Sequence, residues 1–112
     1  MLKSVNRLRE KELFQRLFSH GKRFFIGNVA GFSLSTKNDT LVIGVTFKQK
    51  TFRTAVLRHR YKRGVLAWVR AHLAEFPRGR AVVVHFQQPF ERYSPDQLGQ
   101  TLSKFLEKLK KL

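Results

Sequence analysis

Within residues 53–70, RTAVLRHRYKRGVLAWVR, four cations fall inside six positions: Arg58, Arg60, Lys62 and Arg63. Guanidinium forks crowded in this way suit phosphate oxygens, and the excess of Arg over Lys favours two-pronged contacts over diffuse attraction. The second half of the stretch, VLAW, is as apolar as a core helix. On a helical wheel over 54–76, Leu57, Tyr61, Val65 and Trp68 form one stripe, and Leu66, Val69, Leu73 and Phe76 form its neighbour. Arg58 and Lys62 fall on one side, with Arg60 and Arg63 opposite or lateral. Cations at a helix N-terminus oppose the macrodipole at a cost of ~0.3–1 kcal/mol each, and the i,i+4 pair Arg58 and Lys62 repel besides. Four cations on a helix are ordinarily a solvated face. Here they crowd the disfavoured end of the helix in a chain of net charge +16, so stability alone does not select them. A polyanion docking there offsets the cost.

Hydrolytic chemistry in the chain itself is not supported. A two-metal nuclease needs carboxylates converging on ions about 4 Å apart. The seven acids, Glu10, Glu12, Asp39, Glu75, Glu91, Asp96 and Glu107, are scattered, and Glu10 and Glu12 point to different helix faces. The histidines at 20, 59, 72 and 85 lack metal-ligand spacing. No nucleophile or orienting acid accompanies any of them. His72 and His85 read as satisfied, partly buried residues. No catalytic residue, no metal site and no cofactor bound by the protein alone are expected.

The nature of the polyanion follows from what accompanies the cations. Zinc-finger ligands and basic-zipper heptads are missing, and a helix-turn-helix is weakly supported. Aromatics beside cations suit single-stranded nucleic acid, whose bases stack on rings. Phe14, Phe18, Phe24, Phe25 and Phe32 are candidates, although each could equally be core.

The elements that must position these groups form one domain over 1–112. A hydrophobic content of 42 % supplies a single core. Residues 8–19 pair Leu13 with Leu17 and Phe14 with Phe18 on a short amphipathic helix, stopped near Gly21. Extended pieces near 23–26 and 29–35 follow. The turn TKND leads into strand 40–47, where Leu41, Ile43, Val45 and Phe47 share a face. A polar loop, KQKTFR, precedes the helix 54–76, which ends before Pro77 and Gly79. The apolar run 81–86 reads as a strand covered on both faces. Ser94-Pro95 starts a last helix with Leu98, Leu102, Phe105, Leu106 and Leu109 as its stripe. The expected class is α+β, with helices packed on a small mixed sheet. The chain lacks cysteine and any apolar run of about 18 residues, and its N-terminus has no signal-like apolar core. A cytoplasmic location is therefore expected.

NRLREKELFQRLFSHG (6–21) resembles the opening helix of the bacterial ribonuclease P protein subunit. IGVTFKQKTFRTAVLRHRYKR (43–63) is similar to that family's signature: a Gly-containing strand, a basic loop and an Arg-Asn-Arg-x-Lys-Arg helix start. AVVVHFQQP (81–89) sits where the family has its last strand and a following Pro. Three departures stand out: His59 in place of Asn, Lys48-Gln49-Lys50 in place of paired basic residues, and no basic residue after the last strand.

The resemblance implies an αβββαβα domain with a left-handed βαβ crossover, against the right-handed hand that general sheet chirality favours. It implies an accessory subunit of an endoribonuclease in which RNA, with Mg2+, cleaves the 5′ leader from precursor tRNA. Lys48, Lys50, Arg53, Arg58, His59, Arg60, Lys62 and Arg63 would contact the catalytic RNA. Phe14, Phe18 and Phe32 match aromatic positions of a cleft for the leader. No protein partner and no membrane are required. The alternatives are a structural, for instance ribosome-associated, RNA-binding module, and less favoured, an anionic-membrane binder using the stripe 98–109.

Overall fold

Each α-helix described in the chain finds its place on one four-stranded sheet. The computed structural model describes residues 11–36 and 39–112; Glu10, the start of the helix expected over 8–19, the opening of the 6–21 motif and the middle of the TKND turn lie outside them. The elements, in order, are α1 (Lys11–His20), β1 (Lys22–Ile26), β2 (Val29–Ser35), β3 (Val42–Phe47), α2 (Ala55–Ala71), β4 (Arg80–Phe86) and α3 (Pro95–Lys110). This is the expected αβββαβα order.

The strands lie in the order β1-β2-β4-β3. β1 and β2 form a hairpin in which Ile26 pairs with Val29. Gly27 takes φ +55° at its turn, a backbone that costs glycine nothing and a β-carbon a good deal. β4 runs antiparallel to β2 and parallel to β3, so α2 carries the chain between parallel neighbours.

β4 is central, and Ala81 through Val84 and Phe86 are almost completely buried. Its alternation serves two cores. Val82, Val84 and Phe86 face α2 and α3, while Ala81 and Val83 join Leu17, Ala30 and Phe32 beneath α1. The unbroken apolar run is thus the signature of a strand covered on both faces, as expected. Each such Val or Phe contributes roughly 1.5–3 kcal/mol on burial.

Helix ends follow their local chemistry. Thr54 Oγ1 accepts from the Leu57 N–H at 3.1 Å, and Ser94 Oγ accepts from Gln97 N–H at 3.2 Å with Pro95 following. The helix expected over 54–76 is shorter. It stops at Ala71, where the His72 N–H bonds to the carbonyls of both Trp68 and Val69, and a tighter 3-10 turn covers Leu73–Glu75. The apolar stripe persists through that turn, which is why periodicity alone overran the end. At the far side Lys108 Nζ donates to the Phe25 carbonyl at 2.9 Å, tying α3 to β1.

Close approaches at Gly31 and Gly64 need glycine. At Gly31 a β-carbon would fall 2.7 Å from Phe105 and closer still to the Phe24 ring. At Gly64 it would fall 2.6 Å from both Leu98 and the Tyr93 hydroxyl, so this glycine lets α2 approach α3. Gly31→Ala is expected to destabilise the fold by about 1–3 kcal/mol through overpacking. Thermal unfolding should show a Tm lower by roughly 4 °C per kcal/mol; an unchanged Tm would mean the two rings separate freely.

Candidate nucleic-acid interface

The cationic surface begins in the loop after β3. KQKTFR is not uniformly polar: Phe52 has no solvent exposure, a correction to its reading as a polar loop. Its ring lies against Phe47, Tyr61 and Phe86 at centroid distances of 4.8, 5.2 and 6.2 Å. With that anchor buried, Lys48, Lys50 and Arg53 are left exposed around it. The Lys48 N–H extends the sheet by bonding to the Phe86 carbonyl at 2.9 Å. Thr51 Oγ1 donates to the Gln87 carbonyl.

The first turns of α2 continue the surface. Arg58 is half-buried and donates from Nη1 to the Phe52 carbonyl at 2.6 Å, so part of its fork closes the loop onto the helix. Arg53 Nε likewise donates to the Lys50 carbonyl at 3.2 Å. His59, Arg60, Lys62 and Arg63 are exposed, and no acidic residue occupies the first turn. The side assignments of the helical wheel hold. Arg58 and Lys62 border a shallow groove against Val45 and Phe47 of β3, while Arg60 and Arg63 border another beside Tyr93. His59 lines both, on the crest between them.

The expected phenylalanines also come together, on the opposite face of the sheet. Phe14 and Phe18 stack at 6.4 Å, and Phe18 meets the Phe32 ring edge-on at 4.8 Å. They are not equivalent. Phe32 is 8 % exposed and belongs to the core beneath α1, whereas Phe18 is 42 % exposed. Phe24 is core against Phe105 at 4.7 Å, while Phe25 is exposed.

Register supplies a residue that the sequence reading missed. The pairing of Arg23 with Phe32 across the hairpin places the Arg23 guanidinium 5.6 Å from the Phe32 ring centroid. The signal was available in Gly27-Asn28, a two-residue turn that sets the pairing of every residue in β1. One strand further, Thr46 Oγ1 and His85 Nδ1 lie 2.7 Å apart on paired positions of β3 and β4. Burial, and secondarily the Lys48 ammonium, push the His85 pKa below the ordinary imidazole value. His72 is half-buried too, stacked on Trp68 at 3.9 Å with Nδ1 2.9 Å from the Trp68 carbonyl. Both are partly buried and hydrogen-bonded, as expected.

Comparison with known proteins settles the family. The family model described as Ribonuclease P matches residues 2–110. The chain belongs to the ribonuclease P protein family. A ribonuclease P protein component from a Pseudanabaena species is 31 % identical over 113 residues, covering 100 % of this chain and 97 % of that protein. Among solved structures, the ribonuclease P protein of Thermotoga maritima superposes with a TM-score of 0.82 at 25 % identity, over 91 % of this chain and 96 % of that one. The Staphylococcus aureus protein gives 0.82 at 21 % identity, over 95 % of each.

The chain is therefore a protein subunit of the ribonucleoprotein endoribonuclease that matures tRNA 5′ ends, with catalysis attributed to RNA. Among the described residues, no three His, Asp or Glu side chains group as a metal site would require. No described helix is long and apolar enough to cross a membrane.

The His85 environment carries a pH dependence with a definite sign. Its folded pKa lies below the unfolded value of about 6.5, so unfolding takes up a proton in the interval between them. This contribution to stability is present above about pH 6.5 and is lost as pH falls through the folded pKa. Urea unfolding at pH 7.5 and 5.5 should show a loss toward acid that shrinks in His85→Gln. An equal loss in both proteins would place the proton uptake elsewhere.

Proposed function

We propose that the ridge formed by Lys48, Lys50, Arg53 and the exposed cations of α2 docks the catalytic RNA, and that the Phe14, Phe18 and Phe32 cluster receives the single-stranded 5′ leader of precursor tRNA. The observation that supports this most directly is the separation of the two chemistries. Fixed cations sit at the loop and helix start, on the α2 side; the exposed ring Phe18 and the guanidinium of Arg23 sit on the α1 side. The first arrangement suits a phosphate backbone and the second suits unstacked bases.

Lys48 belongs to the ridge, yet its charge helps to disfavour protonation of His85, which lies on the α1-facing side of β4. A strand leaving the phenylalanine cluster along the sheet would reach the ridge without crossing an acidic residue of β3 or β4. The protein's part in cleavage is then to neutralise phosphate and position the leader. Magnesium held by the RNA supplies the hydrolytic chemistry. The cytoplasm, where precursor tRNA is exposed, is the proposed location.

The test is cleavage of a 5′-extended precursor tRNA at low magnesium, by bacterial ribonuclease P RNA alone, by this protein alone and by both together. Only the mixture should cleave, at the mature 5′ end. If RNA from the source organism gains nothing from the protein under any ionic condition, the reading is wrong, and binding to ribosomal RNA becomes the one to pursue.

Variants separate the two surfaces. Arg63→Ala should weaken RNA binding and lower the slope of log K against log salt by about one. An unchanged slope would make Arg63 a merely solvated cation. Phe18→Ala should raise the Kd for leader-bearing precursor by roughly fivefold or more, while leaving mature tRNA binding by the same holoenzyme as it was. Parallel melting curves show whether the variant is folded. Equal losses for both tRNAs would remove Phe18 from the leader site.

A further inference from the structure

One cation of the ridge is held by a ring without being consumed by a bond. The Arg60 guanidinium carbon lies 5.6 Å from the centroid of Tyr93, which comes from the segment between β4 and α3. Among the described residues its N–H groups donate no hydrogen bond and join no ion pair. Arg58 contrasts with it, giving Nη1 to the Phe52 carbonyl. Arg60 therefore keeps its donors for a ligand while its position is set from behind.

The ring that sets it is itself fixed. Tyr93 meets Tyr61 edge-on at 5.1 Å. Its hydroxyl abuts Gly64, where a β-carbon would come within 2.6 Å. The absent side chain at Gly64 is thus what admits Tyr93 to the helix surface. Together Arg60, Arg63, His59 and Tyr93 wall an open groove of about 490 Å3, within the ~300–1,000 Å3 range of sites that take a small ligand or a nucleotide-sized group. Guanidinium over an aromatic face is attracted by the ring quadrupole. An Arg side chain otherwise loses much rotamer freedom on binding, and one already restrained loses less.

We propose that Tyr93 is a positioning residue of the RNA interface: it holds Arg60 over the groove beside α2, so that the guanidinium meets a phosphate of the catalytic RNA already ordered. This rests on the ridge being the RNA-docking surface. The role passes through Arg60, so a double-mutant cycle tests it.

Kd for bacterial ribonuclease P RNA would be measured for the full chain and for Tyr93→Phe, Tyr93→Leu, Arg60→Ala and Tyr93→Leu/Arg60→Ala. Tyr93→Leu should weaken binding about two- to fivefold, and Tyr93→Phe, which keeps the ring, should restore it. In the Arg60→Ala background Tyr93→Leu should cost nothing more, whereas in an Arg63→Ala background it should cost the same two- to fivefold. An equal loss in the Arg60→Ala background would make Tyr93 merely structural and overturn the proposal. If Arg60→Ala weakens binding but Tyr93→Leu does not, only the positioning role falls. If Arg60→Ala itself binds like the unaltered protein, the ridge assignment fails at that residue and the proposal with it. Should the Leu variant not fold, NMR relaxation of the guanidinium Nε groups in the unaltered protein decides: Arg60 should be more ordered than Arg63, and equal mobility would refute the restraint.

Discussion

Tyr61 is the point on which the cationic surface depends. It sits between Arg60 and Lys62 on α2, has no solvent exposure, and accepts the Phe90 N–H on its hydroxyl at 2.8 Å. Its ring touches Phe52 of the basic loop, Phe86 of the central strand and Phe90 and Tyr93 of the segment before α3, at 5.1–5.4 Å. Burial raises the phenol pKa, with the Phe90 amide working against the rise. Three separate stretches of chain thus converge on one side chain, and two of them, the basic loop and the segment before α3, present groups to the surface along α2. A helix that must bury Tyr61 has no rotational freedom left with which to turn Arg60 or Lys62 inward.

The same constraint explains how a chain of +16 folds without neutralising itself. Among the described residues the ion pair formed is Arg78 with Asp39 at 3.8 Å, both largely exposed, an arrangement that contributes little. The ridge cations are instead spread over a loop, two grooves and the crest between them. Arg58, whose charge opposes the helix dipole, is given a carbonyl, as is Arg53 in the loop before it. The remaining repulsion is relieved by binding rather than by folding.

Much of this was legible in the residues. The alternation of Leu41, Ile43, Val45 and Phe47 and the unbroken run 81–86 predict a half-buried strand and one covered on both faces, because burial on one face or two leaves different periodicities. The cations of α2 declare their helix sides through spacing alone. What stayed hidden has a common cause. Phe52, Tyr93 and Arg23 act through partners far away in sequence, in a loop, before a helix and across a hairpin. A phenylalanine among lysines reads as an oddity until the sheet shows the cavity it fills. Phe14, Phe18 and Phe32 were grouped by family likeness; their graded exposure required the packing of α1 on β2 and β4. The early end of α2 at Ala71 was likewise invisible, since a 3-10 turn continues the apolar stripe.

β1 is five residues long, reads KRFFI and, among the described strands, lies at an edge of the sheet with Phe25 46 % exposed. Such an edge invites another chain to add a strand. Lys22 and Arg23 place two charges along it, and Lys108 occupies the Phe25 carbonyl from α3. A second molecule approaching to zip onto this edge would have to displace an ammonium and bring like charges face to face. The last turn of α3 thus closes an outward carbonyl of that edge, a contact distinct from its share of the core.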